Sequence, residues 1–505
     1  MTKDNKFYIT TPIYYVNDKP HLGGAYTTVA ADVLARFHRM KSEKVFFLTG
    51  TDEHGEKLAH SAQQNNKTPK EWCDENAAKY QMAWDTLQIA YDNFIRTTDP
   101  AHEKIVTKAL EELYNKKLIY KGVYQGLYCR DCERYFTAKE LVDGKCPYHQ
   151  REPVVLSEDC YFFKLSAFQK PLLQLIDKKE WVIEPEERRN EVLGFLKSEE
   201  LEDLAISRQK VEWGIPLPWD KNQTTYVWID ALLNYLSGIG WTGEAGKWPE
   251  IWPPEVQLIG KDILRFHAII WPSLLLALDL PLPKKLYAHG FFTINGQKMS
   301  KSLGNVIDPE EFTKTFGADA TRWLIVSGFP FGQDGDISQS KFYDKYEAEL
   351  ANEIGNLVSR VLTLATKQNT GFKQPAAVNA EFKGLVDSTY ECYERALNQL
   401  SFESAAEAIL NLAHFCDGYI EKNKPWKLIK DNIDFFQEVI YNLVETLRHL
   451  AWLIQPFMPE TSHKIFDCLG IWSKEQKKSF DSAKKWADVE FEEIKKGETL
   501  FPRLK

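Results

Sequence analysis

The hydrophobic and polar positions near the N-terminus predict a strand, a helix and a second strand. Apolar runs at 7–10 and 45–48 have the length of buried strands, and apolar residues between them recur at helical spacing. The helical positions are Tyr26, Val29, Val33, Phe37 and Met40. Elements in this order predict a parallel βαβ unit.

A second α/β region is predicted further along the chain. Apolar runs predict strands at 226–229, 256–259 and 286–288, and a long apolar stretch predicts a helix over about 263–278. Because strands and helices alternate in both regions, we interpret them as halves of one parallel sheet. An insertion at roughly 115–225 separates the two halves.

The last third of the chain has the pattern of a helical bundle. Beyond Tyr343 the strand signals fade, while apolar residues keep a helical period. Examples of these positions are Leu397, Leu400, Ala406, Ile409, Leu410 and Ala413. An all-helical C-terminal domain is therefore expected.

Composition indicates a large globular protein. The chain has 505 residues, enough for three or four domains at roughly 100–200 residues each, and 44% of them are hydrophobic. No run of about 18 apolar residues is present, so we expect a cytoplasmic protein without a signal or membrane segment. The net charge of −9 excludes a protein that coats nucleic acid through bulk electrostatics, and a polynucleotide partner would need a local basic surface.

Cysteine spacing predicts a metal site within the insertion. Cys129-x-x-Cys132 is followed after thirteen residues by Cys146-x-x-His149. Two such knuckles supply four ligands for tetrahedral Zn²⁺ with no open position for water, which is typical of a structural site. The alternative is a set of reduced thiols without metal. Cys160 falls outside this spacing and is expected in the core or at the surface.

Two segments have the residues of phosphate-binding loops. His21, Leu22, Gly23 and Gly24 stand where the first long helix begins, and a helix N-terminus at the carboxyl edge of a parallel sheet binds anions. A loop at 296–305 carries Lys298 and Lys301, three residues apart, which can place two positive charges on a triphosphate. Taken singly, the histidine can merely close a loop and the lysines can lie in a solvated turn.

Together these motifs resemble those of a known enzyme family. His-Leu-Gly at 21–23 and Lys-Met-Ser-Lys-Ser at 298–302 resemble the two signature motifs of class I aminoacyl-tRNA synthetases. The blocks at 11–17, 47–55, 226–231 and 289–292 resemble those of the methionyl-tRNA synthetases in particular. The resemblance covers nearly the whole chain. It implies a methionine–tRNA ligase that uses ATP with Mg²⁺ and has methionine and tRNA as partners.

The resemblance also implies a methionine site. Asp52 would bind the amino group of methionine, and an apolar pocket would hold its side chain. The pocket residues would be Ile13, Tyr15, Trp228, Ala231, Leu232, Tyr235, Ile263, His267 and Trp271. Aromatic rings suit a thioether because contacts between sulfur and rings contribute about 0.3–1.5 kcal/mol each. Any one of these aromatic residues could instead belong to the core.

ATP would lie between the two signature motifs by the same resemblance. Adenosine is expected against Gly23 and the Gly260 turn, with Asp262 on the ribose and the Phe292 backbone at the adenine. Asp262 could instead act as a helix cap. The family's first motif usually ends in a second histidine, whereas this chain has Gly24. Phosphate stabilisation is then expected to depend on His21, Lys298, Lys301 and the helix N-terminus.

Three residues of the helical third resemble the family's anticodon-reading positions. They are Asn356 and Arg360, which would bond to base edges, and Trp426, which would stack on an unpaired base. In a helical bundle a tryptophan is otherwise usually part of the core.

The resulting fold class is α/β, a Rossmann-type parallel sheet split by a zinc-binding insertion, followed by an all-α anticodon-binding bundle. The predicted domains are the two sheet halves at 1–114 and 226–292, the insertion at 115–225, the Lys-Met-Ser-Lys-Ser loop and linker at 293–345, and the bundle at 346–505. A monomer is expected. Two other classes remain, a small-molecule nucleotidyltransferase and a tRNA-binding relative without activity. The first lacks a helical RNA-binding third, and the presence of Asp52, His21 and both lysines argues against the second.

Overall fold

A parallel sheet that includes seven strands of the described chain occupies the centre of the N-terminal part of the molecule. The computed structural model describes residues 5–17, 19–131, 134–136, 141–209, 211–294, 297–298, 307–367, 379–491 and 493–504, with the backbone alone at 124–125, 134–135, 156–158, 297–298 and 339. Cys132 and Lys301 lie outside the described residues, and Lys298 is described by its backbone alone.

The first 115 residues supply most of this sheet and its crossover helices. Their elements are β1 (Lys6–Thr10), β2 (Tyr14–Tyr15), α1 (Leu22–Met40), β3 (Lys44–Asp52), α2 (Glu56–Gln64), α3 (Pro69–Thr86), β4 (Asn93–Arg96) and α4 (Pro100–Asn115). β1 pairs in parallel with β3, so the predicted βαβ unit is confirmed. α3 begins with a capping box between Thr68 and Glu71, which satisfies two backbone N–H groups at its start.

Residues 119–225 form mainly an antiparallel layer. Their elements are β5 (Ile119–Cys129), β6 (Arg134–Phe136), β7 (Val154–Phe163), α5 (Gln169–Asp177), β8 (Val182–Glu184), α6 (Glu186–Ser198), β9 (Leu204–Ala205), β10 (Ser207–Arg208) and β11 (Thr224–Thr225). β6, β5, β7 and β9 follow one another in this sheet. β8 belongs to the large parallel sheet, so the range predicted as an insertion also contributes an edge strand there.

The second half of the large sheet follows. Its elements are α7 (Val227–Leu232), α8 (Asn234–Ser237), β12 (Val256–Gly260), α9 (Trp271–Ala277) and β13 (Lys285–His289). β14 (Phe292–Ile294) and β15 (Gln297–Lys298) come next and belong, with a later strand, to a separate three-stranded sheet. The strand order is β2-β3-β1-β12-β13-β8, with β4 paired to β3. The predicted strands at 256–259 and 286–288 are confirmed. The strand predicted at 226–229 is wrong, because Val227–Leu232 is a helix.

Helices dominate the remainder of the described chain. They are α10 (Pro309–Phe316), α11 (Ala318–Val326), α12 (Gln339–Lys345), α13 (Asn356–Ala365), α14 (Ala380–Asn398), α15 (Phe402–Asn423), α16 (Pro425–Asp431), α17 (Ile433–Ile454), α18 (Pro459–Cys468), α19 (Trp472–Glu475) and α20 (Phe480–Ala483), with the short strand β16 (Gly335–Asp336) before α12. The helical bundle predicted for the last third is confirmed. Among the described residues, none of the helices combines the length and the apolar character needed to cross a membrane.

Two hydrophobic layers cover the faces of the large sheet. Alternate residues of a strand point to opposite faces, and in β1 Phe7 and Ile9 pack with α1 while Tyr8 packs with α4 and α9. The first layer continues without a break into the helical bundle. The α/β region and the bundle therefore share one core.

Candidate active site

A cavity of about 270 Å³ opens at the carboxyl end of the sheet, and residues from separate elements form its wall. Nine of the ten predicted methionine-site residues line it. They are Ile13, Tyr15, Asp52, Trp228, Ala231, Leu232, Tyr235, Ile263 and His267. The tenth, Trp271, is buried behind Tyr235, with ring centroids 5.5 Å apart, and its indole N–H donates to Gln257.

Sequence reasoning missed four other residues that line the cavity. They are Pro12, Lys57, Asp131 and Asn234. Pro12 and Asn234 adjoin residues that were predicted, so their positions could have been inferred from neighbours. Asp131 lies between two predicted metal ligands, and Lys57 Nζ donates to its carbonyl oxygen at 3.4 Å. Nothing in the local sequence links that loop to the cavity.

His267 and Tyr235 form a hydrogen-bonded pair in the cavity wall. His267 Nδ1 is 3.1 Å from the carbonyl oxygen of Ile263, which can only accept, so this nitrogen carries the proton. Burial lowers the pKa of His267 to about 4, and the ring is therefore neutral near pH 7. Nε2 must then accept from the Tyr235 hydroxyl at 2.8 Å. The orientation of this hydroxyl is fixed.

Asp52 ends β3 at the edge of the cavity, and the carboxylate of the next residue, Glu53, is held by several hydrogen bonds. Arg96 donates to both carboxylate oxygens of Glu53, at 2.7 and 2.9 Å, and Thr51 and Thr98 donate to the same group. Several charge-assisted hydrogen bonds on a buried carboxylate hold its backbone in place. The carboxylate of Asp52 is thereby presented from a rigid strand end.

His21 caps the N-terminus of α1. Its Nδ1 accepts from the backbone N–H of Gly23 at 3.1 Å. The N–H of Leu22 donates to the carbonyl of Ile307 at 3.0 Å, which brings the start of α1 beside the segment that follows the Lys-Met-Ser-Lys-Ser loop. The structure thus brings the first signature motif against Ile307, which follows the second motif in the sequence.

The other predicted nucleotide residues lie at the ends of neighbouring strands. Gly260 ends β12, which runs parallel to β1 and β13, and an added Cβ there would lie 2.7 Å from an oxygen of Asp262. Phe292 begins β14, shortly after β13. Thr27 of α1 lies 2.6 Å from His289 Nε2, and this hydrogen bond ties α1 to the end of β13. The carboxyl ends of these strands form one edge.

Gly24, the departure from the family's motif, is packed rather than open. A Cβ there would lie 3.2 Å from the ring of Tyr14. The Tyr14 hydroxyl donates to the Gly24 carbonyl and pairs with Thr28, and its ring stacks on Tyr80 with centroids 5.5 Å apart. The space beside Gly24 is therefore filled by an aromatic ring.

Three of the four predicted metal ligands come together. Ligand atoms of Cys129, Cys146 and His149 all lie within 4.8 Å of one another, and Cys146 Sγ is 3.8 Å from His149 Nδ1. Ligand atoms about 2.0–2.3 Å from a tetrahedral Zn²⁺ have separations of this order, so the donor set fits that metal. Cys160 is fully buried away from this set.

The predicted anticodon residues cluster at one end of the bundle. Asn356 is exposed at the start of α13. Arg360 pairs with Asp417 at 2.9 Å and Glu421 at 2.6 Å, both on α15. Trp426 is the second residue of α16, the helix that follows α15, and is 41% exposed. The alternative of a core tryptophan is therefore wrong.

Comparisons with family models and with curated proteins give consistent matches over nearly the whole chain. A family model described as tRNA synthetases class I (M) matches residues 7–154 and 149–362, and one described as the anticodon-binding domain of tRNA ligase matches residues 381–502. The methionine–tRNA ligase of Caldanaerobacter subterraneus is 44% identical over 505 residues, covering 99% of this chain and 79% of that protein. That of Streptomyces coelicolor is 42% identical over 521 residues, covering 99% and 96%.

A solved structure has the same architecture. It is the methionyl-tRNA synthetase of Mycobacterium tuberculosis in complex with methionyl-adenylate. The TM-score is 0.93 at 35% identity, and the match covers 99% of this chain and 100% of that one. The similarity therefore extends across both the α/β region and the helical bundle.

Proposed function

Because the chain belongs to the methionyl-tRNA synthetase family of class I tRNA synthetases, we propose that it joins methionine to tRNA in two steps. In the first, the methionine carboxylate attacks the α-phosphorus of ATP in line and pyrophosphate leaves. In the second, a ribose hydroxyl at the 3′ end of tRNA attacks the acyl carbon and AMP leaves. The observation that carries this proposal is a cavity at the carboxyl end of the sheet that combines Asp52 with apolar and aromatic walls.

Methionine recognition is assigned to the cavity. Asp52 binds the ammonium group. Apolar and aromatic residues that include Ile13, Tyr15, Trp228 and Ile263 enclose the thioether and select it by its shape. The Tyr235 hydroxyl, which His267 orients, supplies a polar atom on the sulfur side. A largely apolar pocket distinguishes a missing methylene by only about 1–3 kcal/mol, so shape sets most of the selectivity.

ATP, taken as its Mg²⁺ complex, is assigned to the sheet edge. Gly23, Gly260 and the Phe292 backbone offer close approach to the adenosine, Gly24 contributes as part of the N-terminus of α1, and Asp262 binds the ribose. His21, Lys298 and Lys301 stabilise the charge that develops on the phosphates, aided by the N-terminus of α1. Catalysis then consists of positioning and charge stabilisation, and no covalent protein intermediate is required.

tRNA is assigned to the bundle through Asn356, Arg360 and Trp426. The exposed indole of Trp426 supports stacking on an unpaired base, and the two carboxylates that hold Arg360 support a fixed guanidinium. The monomeric state and the cytoplasmic location stay predictions.

Zn²⁺ is assigned to Cys129, Cys132, Cys146 and His149, where it would supply a structural cross-link. Elemental analysis of protein purified without added metal should give about one zinc per chain, as expected for four protein ligands with no open position. Cys146→Ser should lose that zinc, whereas Cys160→Ser, a matched buried cysteine, should keep it. A reproducible zero in the native protein contradicts the assignment.

The test of the activity is ATP–pyrophosphate exchange followed by aminoacylation. Exchange should depend on methionine and should not be supported by leucine, and methionyl-tRNA should form when methionine tRNA is added. A nucleotidyltransferase would show no methionine-dependent exchange, and a binding relative would show neither reaction. Either result would overturn the proposal.

A further inference from the structure

A buried carboxylate bridges two histidines next to the methionine cavity. The two oxygens of Asp230 lie 2.6 Å from His54 Nδ1 and 2.7 Å from His102 Nε2. A carboxylate can only accept, so both imidazoles donate to it. All three side chains are almost fully buried. Burying three polar side chains is costly unless all of them are hydrogen-bonded. A fully bonded network of this kind holds the segments that carry it in one arrangement.

The bridge connects three segments that form the cavity wall. His54 stands two residues after Asp52. Asp230 precedes Ala231 on α7. His102 Nδ1 lies 2.7 Å from the hydroxyl of Ser237, which ends α8, the helix that carries Tyr235. None of the three bridging residues is among the described residues that line the cavity.

We propose that Asp230, with His54 and His102, is a positioning residue that sets the distance between the ammonium site at Asp52 and the thioether site on α7 and α8. The proposal rests on the function proposed above. Because the bridge acts through the placement of pocket residues, it should affect methionine binding and leave ATP binding largely unchanged.

The charges around His54 define a pH dependence. Asp230 faces it from α7, Glu103 of α4 lies 3.8 Å from its Nε2, and Glu53, itself paired with Arg96, is the neighbouring residue. Burial, the largest single influence, would lower the pKa of His54, but the carboxylates of Asp230, Glu103 and Glu53 together outweigh burial and raise it. The imidazolium and its bond to Asp230 are therefore kept at low pH and weakened as pH rises through that raised pKa.

The test compares Asp230→Asn and His54→Gln with Glu445→Gln. Glu445 is an equally buried carboxylate, bonded to Arg448 and close to a histidine, but it lies in the helical bundle. In methionine-dependent exchange, Asp230→Asn and His54→Gln should raise the KM for methionine about tenfold and change the KM for ATP less than about twofold. Glu445→Gln should lower the melting temperature and leave both KM values unchanged.

The pH dependence of the KM for methionine is a second measurement, and a loss of stability alone would not change it. The KM for methionine of the wild type should rise as the pH increases through the raised pKa of His54, and that of His54→Gln should be higher and independent of pH over the same range. Unchanged methionine KM in Asp230→Asn, equal rises in both KM values, or an unaltered profile in His54→Gln would overturn the positioning role. Absence of any exchange in the wild type would instead refute the proposed function.

Discussion

His267 is a neutral acceptor in this site because burial lowers its pKa to about 4. Its Nδ1–H is committed to the carbonyl of Ile263, so its remaining lone pair must be satisfied by the Tyr235 hydroxyl. The pair is thus a fixed polar element in a wall that is otherwise mostly apolar. Its protonation does not change between pH 6 and pH 8, so any pH dependence of methionine binding in this range must come from other groups.

Tyr235→Phe should lower stability by leaving Nε2 of His267 without a donor, at a cost of about 1–3 kcal/mol in the free and the bound enzyme alike. Because the substitution also removes a hydroxyl from the cavity wall and releases the ring that it held, the KM for methionine in pyrophosphate exchange should rise by about threefold to tenfold. Norleucine has a methylene in place of the sulfur of methionine. The ratio of kcat/KM for methionine to kcat/KM for norleucine should fall.

Tyr390→Phe is the matched control for this substitution. Its hydroxyl also pairs with a buried histidine, His449 at 3.1 Å, but lies in the bundle. That variant should keep the wild-type KM. If the ratio of kcat/KM for methionine to kcat/KM for norleucine is unchanged in Tyr235→Phe, the assigned position of the Tyr235 hydroxyl beside the sulfur is contradicted.

The position of Trp271 shows one limit on how much of the site could be predicted from the sequence. Ile263, His267 and Trp271 are four apart, which for an α-helix predicts one shared face. The chain at Phe266–Ile270 is a π-helix, whose larger turn changes the angular spacing of side chains. Trp271 consequently lies behind Tyr235 and outside the cavity. No local sequence signal distinguishes the two kinds of turn.

The bridge from Asp230 to His54 and His102 was missed for another reason. Its members are far apart in the sequence and meet only after folding. Two of them stand inside blocks that marked the family, at 47–55 and 226–231. That signal could have indicated a structural role for the polar residues in those blocks.

At the scale of elements, strand predictions succeeded where the strands are long and central. β1, β3, β12 and β13 are apolar runs buried on both faces, and the sequence pattern identifies such runs well. Val227–Leu232 has the same apolar character but is a helix, since short apolar runs do not distinguish the two structures and tertiary packing decides. The three-residue edge strand β8 is too short to carry a signal.

Asp334 links the two elements that flank the predicted adenosine site. Its carboxylate accepts from the N–H of Phe291 at 2.8 Å and from Lys261 Nζ at 2.6 Å. Asp334→Asn should misplace both turns and raise the KM for ATP. Because the ion pair is partly exposed and screened, we expect only about a threefold to fivefold effect.

The measurement is pyrophosphate exchange with ATP varied at saturating methionine. Glu184→Gln is the control, since Glu184 pairs with Lys285 at 2.8 Å on the far edge of the same sheet. That control should keep the wild-type KM for ATP. A shift in the KM for methionine rather than ATP would contradict the role of Asp334.

At the scale of the whole molecule, a buried arginine joins the α/β region to the bundle. Arg322 of α11 pairs with Asp32 of α1 at 2.7 Å and donates to the carbonyls of Leu87, Pro456 and Phe457. A buried charge costs several kcal/mol unless it is fully bonded. Separation of the two regions would break this set, so they should behave as one body, with the predicted anticodon residues at a fixed position relative to the cavity.

Changing a predicted anticodon residue should nevertheless slow the second half-reaction, transfer to tRNA, and leave the first, adenylate formation, unchanged. Trp426→Ala removes an indole that is 41% exposed, so the loss of stability should be small. Adenylate formation does not involve the anticodon, and methionine-dependent exchange should stay near the wild type. Loss of a base stack worth roughly 1–3 kcal/mol should reduce aminoacylation by about fivefold to over a hundredfold at low tRNA concentration.

Trp248→Ala is the matched control, because Trp248 is 45% exposed but lies in the α/β region. We expect it to leave both exchange and aminoacylation unchanged. Exchange, charging and melting should be measured on one preparation of each variant, and raising the tRNA concentration should restore much of the charging rate in Trp426→Ala, since the defect is in binding. Equal losses of exchange and charging in Trp426→Ala would show that this residue supports the fold rather than the anticodon.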